Sequence, residues 1–160
     1  MLRKQKRMSR IDSALIKKVR EETGAGVMRV KQVLEEVKGN EAKAVEILKA
    51  EGLEKVAKRE DRETGQGKVF SYSHHSNKIV SVVELFSETD FVAKNELFEQ
   101  LGKDIALQVA SMGDIDVESQ DFIKDPSKKI KDLIKAVIAK TGENIKLGRV
   151  VRIELGLASK

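Results

Sequence analysis

A chain of 160 residues is the size of one ordinary domain, or of a small core domain with a helical appendage. Hydrophobic residues make up 40% of it, enough for a packed core and too much for a disordered chain. The formal net charge of +5 suggests a nucleic-acid binder only until it is located. Five basic residues and no acidic one lie in residues 1–10 (Arg3, Lys4, Lys6, Arg7 and Arg10), and the remaining 26 basic residues are matched by 26 acidic ones.

Residues 1–10 therefore read as a basic tail, expected to be disordered and solvated, with a nucleic-acid contact as its alternative. Residues 11–53 read as three short helices. Ile11, Leu15 and Val19 share one helical face behind Asp12 or Ser13 as N-cap, and Gly24 can take the left-handed conformation that closes a helix. Val30, Val33, Leu34 and Val37 repeat the pattern up to Gly39. Asn40 then caps a third helix, with Ala44, Val45 and Leu48 as its stripe and Gly52 as its stop. Three helices with tight joints predict a module of the ubiquitin-associated type.

Residues 54–67 are expected to link this module to a core over 68–160: Glu54 to Asp61 is charge-dense and helix-prone, a connecting helix or a linker, and Thr64-Gly65-Gln66-Gly67 then breaks the pattern. There Val69, Phe70 and Tyr72 fall in one strand and 79–86 in a β-branched run. The turn His74-His75-Ser76-Asn77 between them predicts a hairpin over 68–87. Phe98, Leu101, Ile105, Val109 and Met112 mark a helix over 96–112. Residues 113–127 are polar, hold the single proline (Pro126) and read as irregular. Ile130, Leu133, Ile134, Val137 and Ile138 mark another helix, closed by Thr141-Gly142, and Val151, Ile153 and Leu155 alternate in a last strand. The fold class expected is α+β: a three-helix domain, then an antiparallel sheet with helices packed on it, the last strand joining the hairpin.

Signatures of an enzyme are missing: there is no P-loop, GxGxxG, GxSxG or HExxH. The two histidines sit on a turn with no third ligand nearby, so neither a metal nor a cofactor is expected. Without cysteine there is no disulfide or thiol chemistry, and a reducing, cytoplasmic setting is expected. No apolar run is long enough to span a membrane, and residues 1–10 lack the apolar stretch of a secretory signal. Two segments stand out instead. The joint Thr23-Gly24-Ala25-Gly26-Val27 has more glycine than a helix stop requires: it is either a plain turn or a place of close backbone approach. The segment Ser87 to Asn95 has two possible helix starts. With Thr89 or Asp90 as N-cap, Phe91 falls seven residues before Phe98 and shares its buried face, the reading that periodicity favours. With Asn95 as N-cap, Phe91 can project outward beside an acidic residue, as a wedge for a partner.

On these residues the chain resembles the bacterial elongation factor Ts family. The stretches are TGAGVMRVKQVLEEVKGNEAKAVEILKAEG (23–52), YSHHSNKIVSVVEL (72–85), VVELFSETDFVAKNELF (82–98) and AKTGENIKLGRVVRIELG (139–156). The resemblance runs in family order from Ile11 to Leu157, with the stretch around 113–127 much shortened. It implies a guanine-nucleotide exchange factor that binds the GDP form of elongation factor Tu and does not itself bind nucleotide or act on covalent bonds. Carried over by motif, Thr23, Gly24, Ala25, Gly26 and Val27 would dock on the partner. Asp90 and Phe91, flanked by Thr89 and Val92, would intrude near its magnesium and phosphate site, and His74 would make a second contact. Three positions depart from the family pattern: Phe86-Ser87 stands for Asn-Cys, Gln66 for a common Glu, and Thr141 for an Ile that faces the partner. The chain has material for a single core unit, and short members of this kind complete the pair by forming a homodimer through the core. A nucleic-acid-binding protein, or an adaptor using only the three-helix module, is the alternative.

Overall fold

The computed structural model describes residues 11–157; the basic tail lies outside the described residues. The chain divides into two compact units between Lys55 and Val56. In the first unit, α1 (Ser13–Thr23), α2 (Val27–Glu36) and α3 (Glu41–Ala57), whose last two residues fall in the second unit, pack around Val19, Val30, Val33, Leu34, Ala44 and Leu48. The Asp12 carboxylate accepts from Ala14 N at 3.1 Å and starts α1, while Asn40 Oδ1 accepts from Lys43 N at 3.1 Å and starts α3. Gly24, at φ 70°, ends α1 with its N–H donated to the Arg20 carbonyl.

One boundary differs from expectation. Gly52 does not stop α3, which continues to Ala57. An interior glycine weakens a helix by about 1 kcal/mol relative to alanine but does not end it unless the chain turns away, and here the next positive-φ residue is Gly67.

The second unit is built on an antiparallel sheet of order β1-β2-β5, from β1 (Gln66–Ser73), β2 (Ile79–Ser87) and β5 (Ile145–Glu154). The long helix α5 (Glu96–Met112) and α6 (Ile130–Thr141) cover one face. Phe70, Val83, Leu85, Phe98, Leu101, Ile105, Val109, Ile130 and Ile134 form the core there, joined by Val56 from the end of α3. Gly102 of α5 leaves room for the Phe70 ring, three carbons of which would lie within 2.4 Å of an added Cβ. The sheet thus follows the expected α+β plan, with the last strand beside the hairpin.

Two expectations fail in this unit. Met112 does not continue the buried stripe of α5; it is exposed at the helix end. Residues 113–127 are not irregular: a 3-10 turn (Val117–Ser119) leads into a small hairpin of β3 (Asp121–Phe122) and β4 (Asp125–Lys129). Its organiser is Gln108, fully buried on α5. The side chain donates to the Asp121 carbonyl at 2.9 Å and to Gln120 Oε1 at 3.1 Å, and accepts from Ile123 N at 2.8 Å. Pro126 is tolerated because only Asp121–Lys129 and Phe122–Asp125 pair.

Candidate functional site

The α1–α2 joint has two glycines with different reasons to be there. Gly24 must be left-handed to close α1. Gly26, at φ −64°, has no such need, and nothing lies within 4 Å of a Cβ added to it. Thr23 turns its hydroxyl inward, donating to the Val19 carbonyl at 2.7 Å and accepting from Ala25 N at 3.3 Å. Ala25 packs against the three-helix core. Outside lie Gly24, Gly26, Val27 and Met28, the last 68% exposed. The joint therefore offers bare backbone flanked by two apolar side chains. Met28 was not a candidate from sequence; the signal for it is that it stands out of phase with the buried Val30, Val33 and Leu34.

Between β2 and α5 both helix starts are used. Thr89 caps a single turn, α4 (Asp90–Ala93), its hydroxyl accepting from Val92 N at 3.4 Å. Asn95 then caps α5, accepting from Leu97 N at 2.8 Å. The break at Lys94-Asn95 takes Phe91 out of phase with Phe98, so the buried position that periodicity favours is overturned: Phe91 is 83% exposed while Phe98 is fully buried. Val92 and Ala93 point into the core instead and anchor the turn. Beside Phe91, Asp90 forms an ion pair with Lys94 at 2.8 Å, and the hydrogen bond and charge of Lys94 hold the Asp90 carboxyl below its usual pKa.

His74 opens the β1–β2 turn, its Nδ1 2.7 Å from Ser76 Oγ and its ring centroid 4.0 Å from that of His75. It does not join the α4 cluster. Gln66 pairs with Ser87 at the α4 end of the hairpin and Ser73 with Val80 at the His74 end. Seven residues of strand separate the two ends by roughly 23 Å. Thr141 folds its hydroxyl back onto the Val137 carbonyl at 2.8 Å. Among the described residues no cluster of three His, Asp or Glu could hold a metal ion, and no helix is long and apolar enough to cross a membrane.

Residues 88–159, which include α4, match the family model described as "Elongation factor TS". Elongation factor Ts of Leptospira biflexa is 40% identical, the match covering 91% of this chain and 98% of the relative. Elongation factor Ts of Oleidesulfovibrio alaskensis is 36% identical over 93% of this chain and all of the relative, and that of Thermosipho melanesiensis is 36% identical over 91% and 99%. The alignments run over 194 to 197 positions, so these relatives carry residues that this 160-residue chain lacks. With matches that span nearly the whole of both chains, this chain belongs to the elongation factor Ts family.

Proposed function

We propose that this chain binds elongation factor Tu carrying GDP and promotes release of the nucleotide, with α4 as the element that intrudes at the magnesium and phosphate site. Family membership supports the exchange role, and members of this family are exchange factors rather than enzymes. The observation that carries the mechanism is Phe91: a large apolar side chain held outward on a turn capped by Thr89 whose neighbours Val92 and Ala93 are buried. Such a side chain contributes nothing to its own core and is suited to enter a partner's. Asp90 beside it brings negative charge to a place where a metal and phosphates are balanced against each other. Bound factor and bound GDP then weaken each other, and linkage makes that coupling reciprocal.

Thr23, Gly24, Ala25, Gly26 and Val27 form the docking joint in this reading, with Met28 added. Gly26 supports it, because the fold does not require a glycine there.

The second part of the reading is a homodimer through the core unit. Its support is the uncovered face of the sheet, where Val69, Val82, Val151 and Ile153 are apolar with no helix of this unit over them. A sheet with two apolar faces needs a layer on each, and a second copy supplies the missing layer. It also explains the separation of His74 from α4: one protomer would offer His74 and its partner Asp90 and Phe91.

The test is release of fluorescent GDP from elongation factor Tu, with and without the factor. Wild type should accelerate release. Phe91→Ala should lose roughly 30-fold of that stimulation, the scale of a contact hot spot, while its melting temperature stays close to wild type. A large fall in melting temperature with unchanged stimulation would assign Phe91 to the core and end the wedge reading.

A further inference from the structure

A single helical turn has no stability of its own, and the exposed Phe91 adds none to α4. Something other than its own hydrogen bonds must fix the direction in which Asp90 and Phe91 point. Burial of Val92 and Ala93 holds the far side of the turn. The near side is held from the turn that follows α6, more than fifty residues along the chain. There Gly142, at φ 79°, ends α6 and swings the next two residues toward α4. Glu143 Oε2 accepts from Thr89 N at 3.0 Å and Glu143 Oε1 from the Thr89 hydroxyl at 2.8 Å. A hydroxyl has one proton. Giving it to Glu143 leaves the oxygen's lone pairs for Val92 N–H, so the carboxylate selects the hydroxyl orientation that caps α4.

The base of this clamp is itself fixed. Asn144, 2% exposed, donates its side-chain amide to the carbonyls of Glu60 at 3.2 Å and Arg62 at 2.9 Å. Its backbone N–H donates to Glu88 Oε1 at 2.6 Å, and Arg62 lies 3.5 Å from the same carboxylate. Ser87 completes the near side by donating its hydroxyl to the Thr89 carbonyl at 2.8 Å.

We propose that Glu143 is a positioning residue: its carboxylate clamps Thr89 and so sets the attitude in which Asp90 and Phe91 meet the partner. The proposal rests on the exchange-factor reading for its consequence, but not for the clamp itself. Preorganised contact residues bind without the cost of being ordered on encounter, and a loosened support shell costs function before it costs folding.

The experiment uses the full chain as wild type, Glu143→Gln and Glu143→Ala, with Glu118→Ala, at an exposed position on the 3-10 turn, as control. Amide hydrogen exchange is followed in the factor alone at Val92, Ala93 and Lys94, and GDP release from elongation factor Tu is followed across factor concentrations. Glu143→Ala should expose the Val92 and Ala93 amides roughly tenfold faster and lower the maximal stimulated release by about tenfold, the size of one lost charge-assisted hydrogen bond. The melting temperature should stay within a few degrees of the control. Glu143→Gln, which keeps one carbonyl acceptor, should fall between. Unchanged protection at Val92 overturns the clamp. So does a loss of release that tracks only the unfolded fraction. If Glu143→Ala does not fold, the isosteric Glu143→Gln carries both measurements. If wild type fails to stimulate release, the exchange-factor reading fails, and the protection of Val92 in the factor alone still judges the clamp.

Discussion

The two faces of the β1-β2-β5 sheet carry similar side chains and meet different fates. On one, Phe70, Val83, Leu85 and Ile145 disappear beneath α5 and α6. On the other, Val69 is 64% and Ile153 63% exposed, and the half-buried Val82 pairs with the exposed Val151. An antiparallel sheet can leave a polar face to water, but here β5, beyond its inward-facing Ile145, Leu147 and Val150, places Val151, Ile153 and then Leu155 on the side away from α5 and α6. The inner face belongs to the folded core, and the outer one is the face that the proposed homodimer would cover. The two should respond differently to substitution.

The largest effect is expected on the inner face. Gly102→Ala puts a methyl group 2.2 Å from the Phe70 ring, and that ring is backed by Phe98 at a centroid distance of 6.0 Å. Alanine returns about 1 kcal/mol of helix propensity, but the ring must shift by more than an ångström in a packed core. A net loss on the order of 1–2 kcal/mol follows from overpacking, read as a fall of several degrees in melting temperature. Equal or higher stability would mean that the inner face is looser than its packing implies.

A smaller effect on folding, and a larger one on assembly, is expected outside. Ile153→Lys removes apolar surface that no helix of this unit covers, and a change at an exposed site shifts folding of the single chain by less than about 0.5 kcal/mol. Under the dimer reading it buries an unpaired charge between two sheets, so light scattering should move from two chains to one. A monomeric wild type at tens of micromolar would remove that reading and leave the bare face unexplained.

How much of this was legible in the sequence depends on how local the cause is. Asp12, Gly24 and Asn40 act on their nearest neighbours, and the helix ends they set were readable. Phe91 was misread by periodicity because a period assumes an unbroken helix, and the competing cap at Asn95 breaks it. The β3–β4 hairpin was missed because its organiser is a polar side chain on another element. Gln108 on the buried face of α5, beside Ile105 and Val109, was the available signal, since a buried amide must find partners. The TGAG and TDF segments stood out by surplus glycine and by two competing caps, and the resemblance gave them roles. Glu143 did not, because nothing local ties it to Thr89.

The smallest expected effect tests whether the outer face has structure of its own. Between Val83 and Leu85 the β2–β5 register slips, leaving two residues of β5, Gly148 and Arg149, against Glu84 alone. Such a bulge leaves a backbone N–H without a ladder partner, and Glu84 Oε2 accepts it from Arg149 N at 3.0 Å and Arg149 Nε at 3.0 Å as well. Those bonds lower the Glu84 pKa from 4.5 to about 2. A carboxylate with a depressed folded pKa contributes stability that is present above pH 4.5 and is lost as pH falls toward 2. Glu84→Gln lacks that titration. The stability difference between wild type and Glu84→Gln should therefore be steady above pH 5 and shrink between about pH 4.5 and 2, by a small amount because both side chains border water. A difference that stays constant through this range would show that Glu84 holds the bulge without needing its charge, and that the outer face is ordered by shape rather than by this ion pair.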